Sequence, residues 1–115
     1  MKRFIMYGIL AVLVCLGSCK KSKPQEVTYE VNLLGATTWH GTYLSENGQV
    51  VSITGAPSGW KYTFTNSKNL VIVSITTYAD GTDPLASTSK KIYVNGKQVA
   101  LGIYGSSPLL EYQFP

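Results

Sequence analysis

From Val27 onward, apolar residues recur at every second position in short runs that end at Gly, Asn, Asp or Pro. A period of two matches the pleat of a strand with one buried face, and no stretch keeps a 3.6-residue period long enough to suggest a helix. Val27, Tyr29, Val31 and Leu33 alternate with Thr28, Glu30, Asn32 and Leu34, and Gly35 closes the run. Ala36 to Leu44 forms a second candidate, with Trp39, Gly41 and Tyr43 on one face, ending at the turn signal Ser45-Glu46-Asn47-Gly48. Gln49 to Thr54 is the third, and Gly55-Ala56-Pro57-Ser58-Gly59 is expected to stop its ladder. In Trp60 to Thr65 the residues Trp60, Tyr62 and Phe64 share a face, expected inward. Leu70 to Tyr78 is apolar on both sides near its start, as a central strand would be. Ala79 to Ala86, with Asp80-Gly81 and Asp83-Pro84, reads as a loop.

The firmest local signal is Asn95-Gly96 between Ser89 to Val94 and Lys97 to Leu101. Two residues that tolerate positive φ supply the type I′ turn whose twist matches the flanking strands. Leu109 to Phe114 closes the chain, with Leu110, Tyr112 and Phe114 on one face. Seven to eight short strands in this space predict an all-β antiparallel sandwich, with a small barrel as the alternative.

The segment before Cys19 has a different character. Lys2 and Arg3 precede Phe4 to Leu16, an apolar run broken only by Gly8. This is the pattern of a secretory signal, expected as an N-terminal signal/lipobox helix. Thirteen helical residues rise about 20 Å, against roughly 30 Å of bilayer hydrocarbon, so the run is too short to span. Leu16-Gly17-Ser18-Cys19 resembles the bacterial lipoprotein box, in which an aliphatic and two small residues precede a cysteine that is lipidated and becomes the first mature residue. The alternative is a signal peptide cut elsewhere, with Ala11, Gly17 and Ser18 as the small residues.

The lipobox reading divides the chain into a signal peptide (1–18), a lipidated Cys19 with a flexible tether (19–26) and a β-sandwich domain (27–115). No cofactor is expected beyond the covalent lipid on Cys19, and the lipid bilayer is the first expected partner. With Cys15 removed and Cys19 acylated, no thiol is left for a disulfide, a nucleophile or a metal. After Cys19 the chain carries eight Lys against six acidic residues, so the basic pI is no argument for nucleic acid. Lys20 to Gln25 is a polar spacer. The Cys-Lys-Lys opening resembles Bacteroidota-type lipoproteins, whose surface export goes with acidic residues just after the cysteine. None occurs before Glu26, which implies the periplasmic face of the outer membrane, with the cell surface as the alternative.

Chemistry-bearing residues are sparse, so no catalytic residue and no metal ligand is expected. His40 is the one histidine. The acidic residues show no glycosidase-like pairing. Asp80-Gly81-Thr82-Asp83 has the oxygen-rich look of a calcium loop without its later ligands. Trp39 and Trp60 are the candidate binding aromatics, since indoles suit sugar stacking, with burial in the core as the competing role.

The hairpin Lys91-Ile92-Tyr93-Val94-Asn95-Gly96-Lys97-Gln98-Val99, the opening Val27-Thr28-Tyr29-Glu30-Val31 and the central Gly59-Trp60-Lys61-Tyr62-Thr63-Phe64 together are similar to the MmpS-like family of small exported proteins. The resemblance covers most of Val27 to Phe114. It implies an immunoglobulin-like sandwich and an accessory role beside an envelope transport complex, and it carries over no catalytic residues. Mycobacterial members have a membrane helix where this chain has the lipobox. Three roles are therefore expected in order: a non-catalytic interaction module, a glycan- or envelope-ligand-binding domain, and an inhibitor that inserts loops 55–59 and 79–86 into a target.

Overall fold

The structure, a computed structural model, describes residues 24–115. The signal segment, Leu16, Gly17, Ser18, Cys19 and the tether lysines lie outside the described residues. Eight strands follow: β1 (Glu26–Leu34), β2 (Thr38–Leu44), β3 (Val50–Pro57), β4 (Trp60–Thr65), β5 (Ile72–Ala79), β6 (Ser87–Val94), β7 (Lys97–Gly102) and β8 (Leu109–Gln113). They form two four-stranded antiparallel sheets, ordered β8-β5-β2-β3 and β4-β1-β6-β7. The sheets pack face to face as a sandwich, and the barrel alternative is excluded.

Parity of side chains puts the alternating apolar residues between the sheets. Val27, Tyr29 and Val31 of β1, Trp39 of β2, Phe64 of β4, Val73 and Ile75 of β5 and Ile92 of β6 form the buried core. Aromatic rings fill the space between β1, β2 and β4. Trp39 meets Trp60 edge-on at 5.2 Å, Tyr43 lies 4.7 Å from Tyr62, and Tyr29 sits 5.8 Å from Phe64. Such tilted contacts add about 0.5–1.5 kcal/mol each beyond area burial. The Tyr29 hydroxyl, which this packing would otherwise strand, donates to the Leu44 carbonyl at 2.7 Å. Burial pushes that phenol well above its ordinary pKa.

The hairpin forms as read. Asn95 (φ 53°) and Gly96 (φ 80°) make the turn, and Asn95 Oδ1 also accepts from the Glu26 amide at 2.9 Å, pinning the hairpin to β1. Asn66 closes the β4–β5 connection from a buried position, accepting from Leu70 N and donating to Leu70 O. β5 is central, as its two-sided apolar start suggested, although Val71 falls outside it and is exposed.

The strand boundary that differs most from the sequence reading is the end of β3. β3 does not stop at Thr54 but continues through Gly55 to Pro57. The register jumps from Gly41↔Ile53 to Trp39↔Ala56, so Thr54 and Gly55 together face His40 as a bulge. Gly55 takes φ 65°, and Pro57 is tolerated because β3 has a neighbour on one side only.

Candidate functional site

All pairings are antiparallel, so odd-numbered strands end where even-numbered strands begin. Leu34 faces Ser87, Trp39 faces Ala79, Thr38 faces Pro57, Lys90 faces Gly102 and Thr76 faces Leu109. The loops 35–37, 58–59, 80–86 and 103–108 therefore gather at one end of the sandwich. The start of β1 lies at the other end, with the turns 45–49 and 95–96.

The loop end is where much of the exposed apolar surface sits. Leu34 is 52% exposed, Leu85 74% and Ile103 62%, with Leu101, Tyr104, Leu109 and Tyr78 also exposed. Single exposed apolar residues are ordinary, but a group of them on the loops at one end of a small domain is a feature of contact surfaces. The sequence reading offers loop 79–86 as an insertion element but takes Gly102 to Ser107 only as a loop or bulge, with no contact role. The signal for the latter was present as Leu101-Gly102-Ile103-Tyr104, an apolar run interrupted by the glycine that ends β7.

A polar cluster stands at the rim of this end. Asp80 Oδ1 is 2.6 Å from His40 Nδ1, Asp80 Oδ2 accepts from Thr38 Oγ1 at 2.8 Å, and the His40 ring stacks on Tyr78 at 5.4 Å. The His40 hydrogen bond, with help from Thr38, holds the Asp80 carboxyl below its ordinary pKa. The carboxylate orients the imidazole, but Thr38 Oγ1 is engaged with Asp80 rather than with the ring, so the cluster is no nucleophile–base pair. The stability Asp80 supplies is present above the ordinary carboxylate range and is lost as pH falls through its lowered folded value. In an NMR titration of His40→Ala, the Asp80 carboxyl is expected to titrate at higher pH than in the parent. An unmoved midpoint would show that the contact is not made in solution.

The calcium-like reading of loop 80–83 finds three of its four carboxylate oxygens already in hydrogen bonds. Asp80 serves the cluster, and Asp83 Oδ1 accepts from Leu85 N at 2.9 Å. Among the described residues, no three His, Cys, Asp or Glu side chains group in a way that could hold a metal ion.

The two candidate binding aromatics part company. Trp39 is fully buried and donates its indole N–H to the Pro57 carbonyl at 3.2 Å, so it is corrected from ligand-facing to core. It sits on β2, flanked by β5 and β3 and faced by Trp60 of the other sheet. Trp60 is half-buried and braced edge-on against Trp39.

The outer face of β4-β1-β6 is a solvated ionic surface. Burial alone would raise the Glu30 carboxyl, but hydrogen bonds from Tyr93 at 2.9 Å and Asn32 at 3.2 Å, with Lys61 and Lys91 nearby, hold it below its ordinary pKa. Searches against family models and against curated proteins find no match to this chain.

Proposed function

We propose that this chain is a lipid-anchored envelope protein whose immunoglobulin-like sandwich works as a non-catalytic interaction module, docking its loop end on an envelope protein complex of the transport kind. The observation that carries the reading is the placement of Leu34, Leu85, Ile103 and Tyr104 at the end of the domain opposite the tether. Support for the immunoglobulin-like assignment comes from two antiparallel sheets joined by repeated sheet-to-sheet crossings around a buried tryptophan. The anchor rests on Leu16-Gly17-Ser18-Cys19 and its preceding charged and apolar segments. Two or three acyl chains at about 0.8 kcal/mol per buried methylene make a lasting attachment to the outer membrane. Glycan binding has less to support it, because the Trp39 indole is enclosed and Trp60 leans on it.

Two measurements test the two halves of the proposal. Cys19→Ser is expected to leave unprocessed precursor without acyl label; normal processing with unchanged membrane fractionation would remove the anchor. Photo-crosslinking residues at positions 85 and 103, in the full chain in its own envelope, are expected to trap the same protein partner. If neither position traps a protein while a crosslinker at Lys61 behaves identically, the docking role is wrong.

A further inference from the structure

The four sheet edges differ in how they are defended. β4 carries Lys61, β7 carries Lys97 and β8 carries Glu111, whereas β3, Val50-Val51-Ser52-Ile53-Thr54-Gly55-Ala56-Pro57, has no charge along its length. Charged residues on an edge strand are a usual guard against pairing with another chain. On β3 the guards are confined to its far end, at the Gly55 bulge and Pro57, which leaves Val50 to Thr54 open.

The hydrogen-bond phase of that open stretch can be read from the turn before it. Ser45 N donates to Gln49 O at 2.8 Å, and the register runs Leu44↔Val50, Tyr43↔Val51, Thr42↔Ser52 and Gly41↔Ile53. In an antiparallel pair, hydrogen-bonded and non-hydrogen-bonded positions alternate. Gln49, Val51 and Ile53 therefore turn their N–H and C=O groups toward β2. Val50, Ser52 and Thr54 turn theirs toward the free edge, and Val50 is 68% exposed.

We infer that β3 pairs with β3 of a second copy of this chain, antiparallel about a two-fold axis at Ser52. The inference rests on the interaction-module reading and assigns a further surface to it. Ser52 then faces Ser52 and Val50 faces Thr54 of the other copy, each as a hydrogen-bonded pair, so all three open residues are satisfied by about six main-chain bonds. No charged residue lies along the seam, whereas self-pairing at β4, β7 or β8 would bring two copies of Lys61, Lys97 or Glu111 into it. The outcome is one continuous eight-stranded sheet. The axis sends the two N-termini to opposite ends of the pair, so anchored copies lie with their strands along the bilayer, within the roughly 23 Å reach of residues 19–25.

The test is disulfide trapping of the full chain in its own membranes under mild oxidation. Ser52→Cys is expected to give a new band at twice the chain mass, since hydrogen-bonded pairs sit about 5.5 Å apart at Cα, inside the disulfide range. Val50→Cys alone is expected to give none, because the two copies of residue 50 are offset by about 13 Å along the strands. Co-expressed with a Thr54→Cys chain, it is expected to give the mixed dimer. Wild-type chain and Thr76→Cys, two strands in from the edge, set the background, and unchanged thermal melting shows that each variant is folded. Dimer at background level for Ser52→Cys overturns the inference, as does self-dimer for Val50→Cys alone. A Ser52→Cys product with a different protein also overturns self-pairing but leaves the interaction module standing, and that module fails separately if positions 85 and 103 also trap nothing.

Discussion

Replacing Gly41 by alanine is expected to abolish the folded domain. Gly41 lies on β2, flanked by β5 and β3, and the Cβ of any other residue would stand 1.9 Å from the Thr76 carbonyl oxygen and 2.9 Å from its carbon. Both atoms are backbone of β5, so no side chain can swing aside; β2 and β5 would have to part. That pairing joins the halves of the sheet, and the bulge at His40, opposite Thr54 and Gly55, sits next to it. A loss above about 4 kcal/mol is the expected scale, comparable to the whole stability of a domain this small. Gly55→Ala is the instructive comparison. There a Cβ meets nothing within 4 Å, but φ is +65°, so the cost is conformational alone, about 1–2 kcal/mol. Circular dichroism and urea unfolding are expected to show a cooperative but weakened transition for Gly55→Ala and none for Gly41→Ala. Similar midpoints for the two would mean that β2 and β5 are not packed this closely.

The contrast shows where the sequence was legible. Periodicity gave every strand, because a two-residue repeat bounded by turn residues reflects the geometry of a strand with one buried face. Asn95-Gly96 was readable because its φ requirement is local. Gly55 and Pro57 misled, since both punctuate strands in general, and only the sheet order makes β3 an edge that can absorb a bulge and a proline. The pairing of His40 with Asp80 had no signal at all: forty residues separate them, and the register of β2 on β5 brings them together. Trp39 and Trp60 are both strand aromatics in the sequence, and what separates them is position in the sheet, β2 internal and β4 at an edge. Gly102 to Ser107 reads as a loop or bulge, but nothing local tells that its Ile103 and Tyr104 face solvent rather than the core.

The other large effect expected is a gain. Lys90 occupies an inward position of β6, in parity with Ile92 and Val94, and is 1% exposed. Its stem packs beneath Gly102, where an added Cβ would stand 3.1 Å from Lys90 Cγ. Its ammonium reaches Thr88 Oγ1 at 3.4 Å, a long contact, and that hydroxyl is already shared with Thr77 Oγ1 at 2.6 Å. No carboxylate forms an ion pair with it among the described residues. Desolvation lowers its pKa from the ordinary value. A buried charge so weakly compensated costs stability, and an unbranched apolar chain of similar length fills the same space, so Lys90→Met is expected to stabilise the domain by about 1–3 kcal/mol. At this size each kcal/mol moves the melting temperature by about 4–8 °C. The pH dependence identifies the cause. Because the folded pKa lies below the unfolded one, the unfolded chain binds more protons between the two, and the Lys90 penalty is full below the folded value and fades as pH rises toward 10.5. The advantage of Lys90→Met is therefore expected to be largest near neutrality and to shrink in alkali. The raised Tyr29 pKa weakens both proteins alike at high pH and cancels in the difference. A gain that stays constant with pH would assign it to packing rather than charge, and a loss at neutral pH would mean that the ammonium is held by a partner stronger than Thr88.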